Sequence, residues 1–354
     1  MRILGIETSC DDTAAAVLEA KGGFAKPSFS VLSNVLYSQT AIHKKFGGIV
    51  PNLASRAHLA KIEPTVKEAL RAAKTAPEKI DLIAATRGPG LMPSLLIGVN
   101  FARALSYKWQ KPIIGINHIE GHIFSNWLSP AGKFSISDFR FPVLVLVASG
   151  GHTELVLMKN YGKYEVVGRT LDDAAGECFD KTARILKLGF PGGPAIAEAA
   201  KKSKIEDLKS EISLPRPMMN SKNFDFSFSG LKTAVLYMRE DLIKKYAAEK
   251  IVPAMAAEIQ ESIVEVLVFK TIKAAEKFRP KTLMIAGGVS ANAKLREKMA
   301  AAAALAGIPL SIPGRAYSTD NAAMIAAAGY FDYLKKKPAG DSWKKIEADA
   351  NLGL

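Results

Sequence analysis

Two stretches of this chain follow one plan, and that repetition limits its possible folds more than any other feature. "RILGIET" and "AAAVLEA" read as apolar strands around the polar turn "SCDDT", and "FPVLVLVASGGHTELVLMKN" sets two apolar strands around "SGGHT". Each is a hairpin whose turn offers small residues, hydroxyls and backbone amides, groups that can cradle phosphate or another anion. Either one alone reads as an ordinary hairpin. Two of them roughly 140 residues apart point to a duplicated architecture.

Strand-to-helix units fill the remaining chain. "KIDLIAATRGPGLMPSLLIGVNFARALSYKW" is a strand, a Gly/Pro loop and a helix; "KTLMIAGGVSANAKLREKMAAAAALAG" repeats the order with "GGVSAN" at the junction, where a helix N-terminus can face a nucleotide. Neither contains G-x-x-x-x-G-K-[ST] or a clean G-x-G-x-x-G, so P-loop and Rossmann sites are weak readings. A helical tail, "TDNAAMIAAAGYFDYLKKK", follows. The order predicts an α/β fold of two related lobes with a cleft between them.

At 354 residues and 48% hydrophobic content, the chain can bury a full core. Its start runs straight into a strand with no signal-peptide or presequence pattern, and no apolar run is long enough to cross a bilayer, so a soluble, cytoplasmic protein without membrane partners is expected. Cys10 and Cys178 lie outside any C-x-x-C and are expected to be reduced. The net charge of +14 suits a polyanionic partner such as nucleic acid, and suits a lysine-rich surface equally, since much of it lies in "KKSKIEDLKS" and "YLKKKPAGDSWKK".

"NHIEGHIFSNW" carries two of the five histidines, His118 and His122, on one helical face. A zinc-protease H-E-x-x-H would need glutamate after the first histidine, but Ile119 stands there and Glu120 points away from the shared face. The ligand spacing survives without the protease base. Asp320 in "YSTDNAAMIAAAG" is the candidate third ligand, because Ser318, Thr319 or Asp320 is expected near a helix N-cap. Two histidines and one carboxylate leave coordination positions open, as at a catalytic Fe(II) or Zn(II). Such a pair also arises from helix packing, and spacing alone does not decide. In "RTLDDAAGECFDKTARILKLGFPGGP", Asp172, Asp173, Glu177 and Asp180 read as lying on a helical stretch, with the last three on one face, suited to ribose hydroxyls, an amine or magnesium, or simply to solvent. A Gly-rich turn around Gly192 and Gly193 ends it. "NFDFSFSGLKTAV" fits a half-buried strand or a stacking surface.

These motifs, in this order, resemble the universal tRNA threonylcarbamoyladenosine transferase family of the bacterial TsaD type, once described as an O-sialoglycoprotein endopeptidase. The likeness runs from "GIETSCDDT" through "GGIVPNLASRAH", "GPGL", "NHIEGH", "SGGHT", "DDAAGECFDKTARIL", "FPGGP", "FDFSFSGLKTAV" and "GGVSAN" to "STDNAAMIA". It implies an actin-like, Hsp70-like (ASKHA) fold of two duplicated lobes around a central cleft, with lobe I at 1–115 completed by helices within 322–354 and lobe II at 116–321. It implies one divalent metal on His118, His122 and Asp320, Fe(II) foremost and Zn(II) as the alternative. It also implies adenylate contacts from Val147, Ala148, Ser149, Gly150, Gly151, Asp180, Gly193 and Asn292.

The implied reaction transfers threonylcarbamoyl from threonylcarbamoyl-AMP to the exocyclic amine of the adenosine beside the anticodon in tRNAs reading ANN codons, releasing AMP. Asp11 or Asp12, in the first hairpin turn, is expected to orient the amine or take its proton. Implied partners are tRNA, an inactive paralogous subunit of the TsaB type and a P-loop ATPase of the TsaE type. Asp12 stands where many bacterial members carry glutamate, and Asn52 replaces the glutamate of "VPE", so Asn52 receives no catalytic role. The "LSPAGKFSISDFRFP" segment reads as a surface insertion. The competing readings are a metalloprotease, an ASKHA-type kinase or ATPase, and a tRNA-binding subunit without activity.

Overall fold

Residues 1–128, 139–203 and 211–354 are described in the computed structural model, so most of "LSPAGKFSISDFRFP" and of "KKSKIEDLKS" lies outside them. The chain divides into two units, Met1–Phe139 with Pro313–Leu354, and Arg140–Ile312. The sequence reading set the first division at 115/116. The structure keeps the histidine helix with the first unit, because it continues directly from a strand of that unit and packs on its C-terminal helix.

In the first unit β1 (Arg2–Glu7), β2 (Asp12–Lys21) and β3 (Ser28–Ser38) form a meander, followed by α1 (Thr40–His43), α2 (Pro51–Ala72), β4 (Leu82–Gly88), α3 (Met92–Trp109), β5 (Ile113–Asn117) and α4 (His118–Phe124). The sheet order is β3-β2-β1-β4-β5, with β1 antiparallel to β2 and parallel to β4, and β4 parallel to β5. The second unit repeats this. β6 (Val143–Ala148), β7 (Thr153–Asn160) and β8 (Lys163–Arg169) form its meander. Helices α5 (Ala175–Ile185), α6 (Gly192–Lys201), α7 (Ser229–Leu242) and α8 (Ala248–Phe278) lead to β9 (Thr282–Ala286), α9 (Ala293–Leu305) and β10 (Leu310–Ser311). Its order, β10-β9-β6-β7-β8, is the first order read from the other end, with the same pattern of strand directions. The duplication expected from the hairpins is therefore present strand for strand, in two α/β units of one topology.

Helix α10 (Ala322–Lys336) returns the chain to the first unit. Strand alternation sorts the faces of that sheet. Leu4, Ile6, Ala15 and Val17 pack with Ile62 and Val66 of α2 and Val99 and Ala102 of α3. The opposite face presents Ala14 and Ala16 to Ala322 and Ala323 of α10. Covered on both sides, β1 is apolar along nearly its whole length rather than alternating with polar residues. Residues Ala322 to Asp332 of α10 are all buried, and small side chains let the helix sit close. The limit is at Gly5, where an added Cβ would lie 2.1 Å from the Ala322 carbonyl oxygen. Phe124 of α4 stacks on Phe331 of α10, ring centroids 4.6 Å apart, which fixes the two helices against each other.

The second unit buries Phe226 and Phe228 of "NFDFSFSGLKTAV" completely, and an isolated parallel bridge joins Phe226 to Thr170, so this segment is an extended core element. Asp172 and Asp173 precede α5 instead of lying on it. Asp172 serves a different helix: its carboxylate accepts from the Phe228 and Ser229 amides, at 2.7 and 3.2 Å, and from the Ser227 and Ser229 hydroxyls, at 2.5 and 2.7 Å. That satisfies donors at the start of α7.

Gly5→Ala should destabilise the protein by about 1–3 kcal/mol through overpacking against α10. The check is the urea midpoint at unchanged slope; wild-type stability would show that the helix can retreat freely.

Candidate metal centre and a second glycine-rich turn

Glu7, Gly88 and Asn117 all lie at the C-terminal ends of the parallel strands β1, β4 and β5, the sheet edge where α/β proteins place ligands. Asn117 ends β5 and caps α4, its Oδ1 accepting from the amides of Ile119 (2.8 Å) and Glu120 (3.3 Å). The cap starts the helix at His118 and so puts His118 and His122 one turn apart on one face. Their rings are 4.6 Å apart, centroid to centroid. Asp320 comes from the loop before α10. The cap of that helix is Asn321, whose side chain accepts from the Met324 amide, so Asp320 stands one residue before the cap.

Asp320 Oδ1 lies 3.6 Å from His118 Nε2 and 3.1 Å from His122 Nε2. One donor atom from each of the three residues falls within 4.8 Å of the others, and no comparable group of His, Cys, Asp or Glu occurs among the described residues. Ligands bound to one ion at about 2.1 Å in tetrahedral geometry are separated by about 3.4 Å, so the spacing fits a divalent cation. His122 supplies a further test: both ring nitrogens are buried and neither makes a hydrogen bond of good geometry. Asp320 Oδ1 lies near Nε2 without hydrogen-bond alignment, so the buried ring is poorly compensated, and a metal on Nε2 would supply a directed partner. The sequence-derived trio is thus brought together.

Sequence reasoning missed Glu7. It is fully buried, and its Oε2 accepts from His118 Nδ1 at 3.0 Å and from the Thr86 hydroxyl at 2.6 Å. A carboxylate only accepts, so His118 carries its proton on Nδ1 and turns Nε2 toward Asp320. Burial works against a charged His118, but Glu7 and Asp320 outweigh it and raise its pKa to about 9. Burial likewise works against the Asp320 carboxylate, while the His118 charge and the His122 contact pull its pKa down to about 2.

Asp11 and Asp12 occupy the turn into β2. Burial, then the Asp11 and Asp320 charges, push Asp12 up to about 7, and its Oδ1 is buried without a hydrogen-bond partner. Burial and then Asp320 also raise Asp11. The remaining histidines of this unit are structural. His58 pairs with the Thr13 hydroxyl (2.8 Å) and the Cys10 carbonyl (2.9 Å), and His43 with Gln39 (3.1 Å). Cys10 and Cys178 are free; burial pushes the Cys10 thiol well up and the Cys178 thiol to about 12, so both stay protonated.

In the second unit, Val147 and Ala148 end β6 and Ser149 to Gly151 turn into β7. The Ser149 carbonyl accepts from the Gly176 amide of α5 at 3.1 Å. An added Cβ on Gly150 or Gly151 meets nothing within 4 Å, so the turn is open above. Gly287, at φ +84°, follows β9 and would drive a Cβ to 2.4 Å from the Ala148 carbonyl oxygen, so glycine alone permits this approach of the two strand ends. Asp180 Oδ1 accepts from the Gly192 amide at 2.6 Å and anchors the start of α6, where Gly193 sits. Asn292 caps α9 through Oδ1 and donates to Gln260 Oε1 at 2.9 Å. Val147 to Gly151 therefore lie at the C-terminal end of β6 and Asn292 at the start of α9, whereas Asp180 lies midway along α5 and holds the first turn of α6. The acidic cluster is less open than its sequence suggested, since Lys181 bridges Asp173 (2.7 Å) and Glu177 (2.9 Å).

Without an ion, a His118 pKa near 9 keeps that ring protonated at pH 7; ligation through Nε2 must expel the proton. Binding should release close to one proton per ion at about pH 7 and almost none at about pH 10, and affinity should weaken as pH falls. Calorimetry in buffers of different ionisation enthalpy reads this directly. No proton release at pH 7 would contradict the assignment.

No helix among the described residues is long and apolar enough to cross a membrane. Residues 30–327 match the family model for TsaD, tRNA N6-adenosine threonylcarbamoyltransferase. The protein of that name from Thermomicrobium roseum is 47% identical over 94% of this chain and 92% of its own length. The one from Thermosipho africanus is 46% identical over 100% of both chains. Among solved structures, the activator of the 2-hydroxyisocaproyl-CoA dehydratase from Clostridium difficile with bound ADPNP aligns over 100% of both chains, at 15% identity and a TM-score of 0.49.

Proposed function

The chain belongs to the family of tRNA N6-adenosine threonylcarbamoyltransferases, acyltransferases that modify tRNA, and from that premise we propose the reaction and the residues that carry it. The donor is threonylcarbamoyl-AMP. The acceptor is the exocyclic amine on the adenosine 3′ to the anticodon in tRNAs reading ANN codons, and AMP leaves. The observation that carries this reading is the convergence of His118, His122 and Asp320 on one point with ligand-to-ligand spacing.

His118, His122 and Asp320 hold the divalent ion, Fe(II) foremost and Zn(II) as the alternative, since nitrogen and carboxylate donors suit either. When bound, the ion supplies Lewis acidity toward the carbamoyl carbonyl. Asp12 takes the proton that the amine loses on attack: its carboxyl is poised near neutrality, and Oδ1 has no internal partner to compete. Asp11 keeps that pKa high by its charge. Backbone amides of Gly150 and Gly151 bind the adenylate phosphate, while the Ser149 amide closes the turn on the His152 carbonyl and Val147 and Ala148 set its height from inside the sheet. Asp180 and Gly193 line the same site from α5 and α6. Asn292, with both ends of its amide engaged, acts by fixing the first turn of α9.

The target adenosine lies in a single-stranded loop and needs no duplex melting, while the excess of lysine and arginine grips the tRNA backbone. An inactive paralogue and a P-loop ATPase complete the system in the cytoplasm. Peptide hydrolysis is disfavoured, because the position after His118 carries the buried Ile119 instead of a base.

The test supplies the protein with its partner subunits, threonylcarbamoyl-AMP and unmodified ANN-decoding tRNA, then digests the tRNA and weighs its nucleosides. The threonylcarbamoylated adenosine should form. Its rate should fall as pH drops through about 7, because protonated Asp12 cannot accept a proton. Asp12→Asn should cost at least about 100-fold and flatten that limb. Absence of the product with every component verified would remove the transfer reading; an unchanged acid limb in Asp12→Asn would remove the role of Asp12 alone.

A further inference from the structure

We propose that Glu7 is the positioning residue of the metal centre: its carboxylate locks the His118 ring with Nε2 toward the ion and ties that ring to the Thr8–Asp12 turn. This rests on the metal reading above and adds a residue to it. Glu7 ends β1, is 0% exposed, and binds three donors from three different elements. Oε1 accepts from the Ser9 amide at 2.5 Å, and Oε2 accepts from Thr86 of β4 at 2.6 Å and from His118 of α4 at 3.0 Å. A buried carboxylate persists only where donors and a positive charge compensate it. Among the described residues, the one ion pair of Glu7 is with His118. The compensation therefore comes in part from a ligand of the candidate centre, beside the Ser9 and Thr86 donors.

The two histidines are held by different means. His122 is fixed by packing, with no hydrogen bond of good geometry to either ring nitrogen. His118 is fixed by Glu7, which sets both its tautomer and its ring plane. The Ser9 amide on the other oxygen makes the same carboxylate a strut for the turn that holds Asp11 and Asp12. Ligand orientation and turn shape are thus coupled through one side chain.

Glutamine at this position keeps the shape but not the polarity. If its amide nitrogen faces His118, it donates to Nδ1 and moves the ring proton to Nε2, where it blocks ligation; if it faces Ser9 instead, two donors oppose each other.

The test is a cobalt(II) titration of the full-length, metal-stripped chain, followed by visible absorption, on wild type, Glu7→Gln, Glu7→Asp, Thr86→Val and His118→Ala. Glu7→Gln should bind cobalt about 10–100-fold more weakly, with shifted bands. Thr86→Val, which removes a donor to the same carboxylate but not the His118 bond, should stay within about threefold of wild type. Glu7→Asp keeps the charge on a shorter arm and should bind with intermediate affinity and altered bands; it carries the test if Glu7→Gln does not fold. Wild-type affinity and spectrum in a folded Glu7→Gln, or in Glu7→Asp if that variant must stand in, would overturn the proposal, provided His118→Ala loses binding. Wild-type binding by His118→Ala would instead remove the metal reading beneath it.

Discussion

The close approach of α10 to β1 is the constraint on which the candidate site depends. His118 and His122 belong to α4, whereas Asp320 arrives about 200 residues later in sequence, just ahead of a different helix. Only a helix that can press its backbone against the sheet brings that carboxylate to 3.1 Å from His122. The alanine-rich face of α10 and the missing side chain of Gly5 permit it, and the Phe124–Phe331 stack ties α4 to the same helix. The centre is therefore as rigid as the core beneath it, which suits a site that must hold ligands in fixed geometry.

Charge then decides what such a centre holds. Glu7 is buried and Asp320 half-buried beside His118, and burial alone would push both carboxylates toward the neutral form. The positive charge between them reverses this: Asp320 is held near 2, Glu7 stays below its ordinary range and His118 rises to about 9. Removing that charge would leave two anions with little solvent to screen them. A proton fills the role at neutral pH, and a divalent ion fills it better, because it also gives His122 Nε2 a directed partner. Asp12 and Asp11 feel the same accumulation of negative charge and are pushed up.

Much of this was legible in the sequence because it is periodic or local. The paired hairpins and the strand-to-helix units became two sheets of one topology, and the i, i+4 histidines share a face of α4 as their spacing requires. Asp320 was also identified, on the expectation of a nearby cap, although the cap is Asn321. What remained hidden depends on partners distant in sequence. Glu7 shows in the chain only as one acid ending an apolar strand, and nothing local announces that its partners are residues 86 and 118. Asp172 looked like part of an acidic helix face because its true role, capping α7, lies about 56 residues away. The division after Phe139 follows from how α4 packs, which periodicity does not encode.

The most direct test of the account is the metal content of purified protein, by elemental analysis, for wild type and Asp320→Ala, with folding verified by circular dichroism. The account predicts one divalent ion per chain in wild type and its loss from a folded Asp320→Ala, because two histidines alone leave the ion under-coordinated. Stoichiometric metal in folded Asp320→Ala would contradict it, and would mean that the carboxylate carried in by α10 is not a ligand.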